Sequence, residues 1–156
     1  MPLAIGSKAP SFSLFNTDRK QVSLSDFAGR PLVINFFPAA FTGVCTQQMC
    51  TNRDDLAFYQ ELGANVIGIS VDMPFSLKVF KEQNKIDFEL LSDFNKQTIH
   101  EYEMYHCNFI CGIRGVAKRG VAVIDKEGKI AYTEETANPG TQVNFTALQE
   151  ALKKLA

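Results

Sequence analysis

The chain has 156 residues, 46% of them apolar, and a formal net charge of −1. That length fits a single domain with a sizeable core, read over 1–156. The charge balance offers no clustered basic face for a nucleic acid, and no apolar run approaches the roughly 20 residues that span a bilayer.

The start, Met1-Pro2-Leu3-Ala4-Ile5-Gly6-Ser7-Lys8, lacks the basic opening and apolar centre of a signal peptide, so a cytoplasmic location is expected. Ser11 to Leu14 and Gln21 to Ser23 read as an N-terminal hairpin around Asn16-Thr17-Asp18. Ser25-Asp26-Phe27 reads as a brief helical turn stopped at Gly29. Pro31 to Phe37 is a continuous apolar run, the pattern of a central strand covered on both faces. A helix is predicted over Thr46 to Leu62, with Met49, Leu56 and Tyr59 on its apolar stripe and Gly63 at its stop.

Asn65 to Val71 is a second buried strand, and Pro74 opens a helix that ends near Asn84. Phe88 to Leu91 reads as a short strand and Asn95 to Tyr102 as a helix. Arg119 to Asp125 and Lys129 to Thr133 form a hairpin across Lys126-Glu127-Gly128. Phe145, Leu148, Leu152 and Leu155 mark a last helix. Strands alternating with helices predict an α/β fold, a mixed central sheet with helices on both faces. The least regular stretch, Tyr105 to Lys118, holds two of the four cysteines, Cys107 and Cys111. Four cysteines in a cytosolic chain point to redox chemistry or metal binding more than to a disulfide scaffold.

The chemistry concentrates in Pro38-Ala39-Ala40-Phe41-Thr42-Gly43-Val44-Cys45. A buried strand runs into a proline, a turn carries a hydroxyl and a glycine, and Cys45 sits where a helix begins. Unpaired N–H groups and the helix dipole favour negative charge there, and the thiolate is the nucleophilic form of cysteine. Thr42 is placed to donate to the sulfur or to a bound oxygen. Pro38 has no N–H to compete and screens the sulfur from water. Arg119, opening the hairpin strand, is the candidate cation. Taken singly, each residue has an ordinary explanation: a small core residue, an N-cap, a surface charge. The ordered set favours a reactive site.

The set resembles the peroxidatic-cysteine signature of the peroxiredoxins. The likeness extends through Gly6-Ser7-Lys8-Ala9-Pro10-Ser11-Phe12, Ser70-Val71-Asp72, Leu90-Leu91-Ser92-Asp93, Arg119-Gly120 and Ile124-Asp125. It implies a thioredoxin-like fold and reduction of hydroperoxides, with no metal or organic cofactor. It makes Cys45 the peroxidatic nucleophile and Pro38, Thr42 and Arg119 its partners. Gln48 takes the position that orients the arginine. A thioredoxin- or glutaredoxin-like reductant and a homodimer, paired through the Ala40-Phe41 turn and the loop before Arg119, are implied as well. The flank of Cys45 resembles the E-type members. The second cysteine five positions on, Cys50, resembles the Q-type or bacterioferritin-comigratory members, although Gly43-Val44 replaces their Pro-Gly.

Cys50 is the expected resolving thiol, in an atypical 2-Cys arrangement. On an intact helix, five residues turn about 500° and rise about 7.5 Å, which puts the two Cα atoms about 8.7 Å apart. A disulfide bridges at most ~7 Å without backbone movement, so the helix must unwind to form it. Cys107 and Cys111 are rival resolvers, or part of a buried apolar patch. With no cysteine after Cys111, a resolver on a C-terminal arm is not expected. Two other functions compete: a thiol–disulfide oxidoreductase, for which C-x-x-C is lacking, and a non-enzymatic redox-sensing or zinc module, for which His100 and His106 would be further ligands.

Overall fold

The computed structural model describes residues 3–155, so Met1, Pro2 and the last residue of the 1–156 reading lie outside the described residues. Its strands are β1 (Ser13–Asn16), β2 (Gln21–Ser23), β3 (Leu32–Phe36), β4 (Asn65–Ser70), β5 (Glu89–Ser92), β6 (Tyr105–His106), β7 (Val116–Ala117), β8 (Gly120–Ile124) and β9 (Ile130–Glu135). Its helices are α1 (Gly43–Asp54), α2 (Leu56–Glu61), α3 (Pro74–Gln83), α4 (Gln97–Glu101) and α5 (Phe145–Lys153).

Seven strands form one mixed sheet in the order β2-β1-β5-β4-β3-β8-β9. β3 is parallel to β4 and antiparallel to β8, with Ile34 opposite both Ile67 and Ala122. A central strand must be apolar on both faces, and every residue of β3 is buried. Alternate side chains serve two cores. Val33, Phe37, Met49, Tyr59, Leu77 and Leu148 pack on one face; Ile34, Phe36, Ile67, Ile99 and Tyr102 pack on the other. Gly68 of β4 lets α1 lie close to the sheet, because a Cβ there would meet Leu90 Cδ2 at 2.7 Å and Met49 Sδ at 3.2 Å.

The expected α/β layout, N-terminal hairpin, central strands and terminal helix are all present. The Lys126-Glu127-Gly128 turn joins β8 to β9, with Gly128 at φ +83. Five expectations need correction. The helix read over Thr46 to Leu62 is two helices, broken at Asp55 (φ −93, ψ 5), whose carboxylate accepts from Gln149 of the α5 layer at 3.1 Å. α1 also starts earlier, at Gly43, with Thr42 as its extended N-cap. Asn95 to Tyr102 is helical only over Gln97–Glu101, because Lys96 takes a left-handed conformation at φ +67. The irregular stretch carries a small second sheet, β6 against β7. Within it Cys107 and Cys111 are both exposed, so they do not form a buried patch.

Candidate active site

β3 runs into Pro38, which is buried, and the chain turns through Ala39-Ala40-Phe41 into α1. Three bonds hold this turn. Ala40 N–H donates to Asp72 Oδ2 at 2.9 Å, and Ser70 Oγ donates to the same oxygen at 2.7 Å, so the end of β4 anchors the turn. Thr42 Oγ1 donates to Ala39 O at 2.8 Å. That bond corrects the expected role of Thr42. Its proton is committed to the turn rather than to the sulfur, and its oxygen remains an acceptor. Phe41 pays for the sharp turn with a positive φ of 70.

Cys45 is the third residue of α1 and is fully buried. α1 buries Cys45, Gln48, Met49 and Asn52, one stripe at helical spacing. Arg119 immediately precedes β8, which pairs with β3, so its side chain arrives on the α1 side of the sheet. Its Nη2 donates to Cys45 Sγ at 3.2 Å, its Nη1 to Gln48 Oε1 at 2.9 Å, and its Nε to Pro139 O at 2.9 Å. The structure therefore brings Cys45, Arg119 and Gln48 together as expected.

Arg119 is 2% exposed, and among the described residues it makes no ion pair with a carboxylate. A buried charge with no counter-charge is costly. The groups that face the Arg119 charge are the sulfur of Cys45 and two neutral oxygens, of Gln48 and Pro139.

Cys50 lies elsewhere. It is half-buried, and its Sγ donates to Asn84 Oδ1 at 3.8 Å, at the end of α3. All four cysteines are free thiols, and α1 is unbroken from Gly43 to Asp54. Cys45 and Cys50 thus face different neighbours on one intact helix. Cys107 and Cys111 contact neither of them through a hydrogen bond among the described residues. No group of three or more His, Cys, Asp or Glu stands at metal-holding separation among the described residues, and the zinc reading gains no ligand set.

The sequence reading missed three participants. Asn35, on β3, accepts from Asn52 Nδ2 at 3.1 Å and from Gln48 Nε2 at 3.4 Å. Asn52 belongs to the same buried cluster. Gln142 Nε2 donates to Val44 O at 3.2 Å, tying the loop before α5 to the turn that carries Cys45. A signal for Asn35 was present: a single amide inside the apolar run Leu32-Val33-Ile34-Asn35-Phe36-Phe37. Gln142 carries no comparable local signal.

The chain is similar to several known proteins. Residues 5–133 match the AhpC/TSA family. The chain is 36% identical to peroxiredoxin Bcp of Escherichia coli over 132 residues, covering 84% of this chain and 85% of that one. It is 41% identical to the chloroplastic peroxiredoxin Q of Oryza sativa subsp. japonica over 127 residues, covering 81% and 57%. In structure it resembles peroxidoxin BcpB of Mycobacterium tuberculosis, with a TM-score of 0.86 at 25% identity over 97% of each chain.

Proposed function

The chain belongs to the AhpC/TSA family, the peroxiredoxins, which are thiol peroxidases, and from that membership we propose that its reaction runs through Cys45. The observation that carries this assignment is the Arg119 guanidinium, buried, with no carboxylate partner among the described residues, 3.2 Å from Cys45 Sγ.

The chemistry follows from that pair. The Cys45 thiolate attacks one oxygen of a hydroperoxide. An S–O bond forms, the O–O bond breaks, and sulfur is oxidised by two electrons to a sulfenic acid. The leaving oxygen departs as hydroxide or alkoxide and takes up a proton, giving water or an alcohol. Three of the five Arg119 N–H bonds are used by Cys45, Gln48 and Pro139. The remaining two are available to the peroxide oxygens, where negative charge develops in the transition state. Thr42 Oγ1, its own proton held by Ala39 O, accepts the peroxide O–H. Pro38 keeps water from the strand end. Gln48 fixes the plane of Arg119.

Cys50 then attacks the sulfenic sulfur. An S–S bond forms, the S–O bond breaks, and water leaves. A thioredoxin- or glutaredoxin-like dithiol reduces this disulfide and is itself oxidised. Because the two cysteines share one intact helix, resolution requires the first turns of α1 to unwind. No helix is long and apolar enough to cross a membrane among the described residues. A homodimer is supported by Phe41, which is 53% exposed and packs edge-on against Phe80 of α3, a helix that also exposes Phe75 and Val79. The deciding experiment mixes reduced protein with excess hydroperoxide and follows its consumption with and without a dithiol donor. Full turnover by a Cys45→Ser variant would overturn the assignment.

A further inference from the structure

Beneath the reacting pair lies a cluster of neutral amides, of which Gln48 alone bonds to Arg119. Gln48, Asn52 and Asn35 are all fully buried, the first two on α1 and the third on β3. Asn35 shares its face of the sheet with Val33 and Phe37, which are core residues. A purely structural site between a strand and a helix would be filled with apolar side chains. These three amides need a reason.

The hydrogen bonds supply one. An amide has a donor end and an acceptor end, and only one orientation of Gln48 serves Arg119. Gln48 Oε1 must face the guanidinium, which it does at 2.9 Å. Its Nε2 must then find acceptors on the other side. It finds Asn35 Oδ1 and Phe36 O, each at 3.4 Å. Asn35 is itself fixed. Its Nδ2 donates to Ile67 O at 3.4 Å, which turns its oxygen toward α1. Asn52 Nδ2 donates to that same oxygen at 3.1 Å and to Gln48 O at 2.8 Å. The remaining polar atom of Asn52, Oδ1, is buried with no hydrogen-bond partner among the described residues. Burying an unpaired acceptor is costly, so the hydrogen bonds made by the other end of the same amide must offset it. Here that end is the Nδ2 that holds Asn35.

We infer that Asn35 and Asn52 are positioning residues that act through the orientation of the Gln48 amide to hold Arg119 against Cys45. With Asn35 Oδ1 removed, Gln48 keeps only the Phe36 carbonyl, and its amide can turn. The turned amide presents N–H to N–H of Arg119, a repulsive contact that moves the guanidinium off the sulfur. The cluster contains no carboxylate, so Arg119 is oriented without its charge being neutralised. This inference rests on the peroxidase assignment of Cys45, but its test need not.

The test uses the full chain in a Cys50→Ser background, where Cys45 is oxidised once and is not resolved. Two readouts are taken: the peroxide rate, and the pH profile of Cys45 alkylation by iodoacetamide, resolved from the other cysteines by peptide mass spectrometry. For Asn35→Leu, a folded protein with an approximately tenfold slower peroxide reaction is expected. Its alkylation profile is expected to move to higher pH. In a Gln48→Leu background, Asn35→Leu is expected to change either readout less than about twofold, because the group it acts through is gone. Asn52→Leu is expected to act in the same direction with a smaller effect, and it keeps the question open to test if Asn35→Leu does not fold. Unchanged profiles in folded single variants would overturn the inference. So would an Asn35→Leu effect that persists in full without Gln48. The alkylation readout reports Arg119 against Cys45 directly, and it decides the inference even if Cys45 proves inert to peroxide, an outcome that would overturn the peroxidase assignment instead.

Discussion

Arg119 Nη2 and Cys45 Sγ are 3.2 Å apart although 74 positions separate them in the chain. The antiparallel pairing of β3 with β8 makes this contact. Phe36, at the end of β3, is opposite Gly120, so the residue before Gly120 emerges beside the turn that β3 feeds.

Arg119→Met keeps much of the side chain's bulk and removes the charge and its donors. Loss of a preorganised donor of this kind typically costs about 100-fold or more in rate. The peroxide reaction, followed by stopped flow, is expected to slow by at least that factor. A loss below about threefold would mean that Arg119 is structural.

Cys50→Ser leaves Cys45 and its partners in place, because Cys50 contacts Asn84 rather than the Cys45 cluster. The first oxidation is expected at the wild-type rate. Turnover with a thioredoxin-type dithiol donor is expected to fall sharply, and the sulfenic acid at Cys45 is expected to be trapped by dimedone. Peptide mapping provides the check. A Cys45 disulfide to Cys107 or Cys111 forming at the normal rate would transfer the resolving role to that residue.

Oxidation is expected to unfold part of α1 and little else. Amide hydrogen exchange should show lost protection from Val44 to about Thr51 in the oxidised form, with β3, β4 and β8 unchanged. The bonds broken would include Gln142 to Val44 and Thr46 Oγ1 to Thr42 O. Equal protection of α1 in both forms would contradict the need for unwinding.

Gly120→Ala tests how tightly the sheet sets Arg119. A Cβ there would meet the backbone oxygen of Glu134 at 2.5 Å and Met104 Sδ at 2.9 Å. Backbone cannot step aside as a side chain can, so β8 and β9 must separate locally. A destabilisation of about 1–3 kcal/mol is expected, together with a slower peroxide reaction because Arg119 is the adjacent residue. Thermal unfolding and stopped flow measure the two effects, and an unchanged melting temperature would show that the strands absorb the methyl group.

The sequence alone carried the strand order of chemistry well. An apolar run ending in Pro38, then Thr42 and Cys45, states that a thiol is placed at a helix start, because local periodicity and turn residues act over a few positions. It also determined that Cys45 and Cys50 cannot bridge on an intact helix, since helix geometry is independent of context. The extent of the helix was less legible. The buried stripe of α1 contains Gln48 and Asn52, so its hydrophobic pattern is weak, and the break at Asp55 carries no breaker residue.

Tertiary structure alone decided what the local signals could not. Thr42 has a hydroxyl in the right turn, but only the fold shows that its proton goes to Ala39 O. Cys107 and Cys111 lie in a stretch with apolar neighbours, and only the fold leaves both exposed. Cys45 meets Arg119, just before β8, and Arg119 is held in turn by Gln48 of α1 and the loop at Pro139, with Asn35 of β3 behind Gln48. Hydrogen bonds between such segments depend on strand register and helix rotation, which are set by the packing of the whole core rather than by any short stretch of chain.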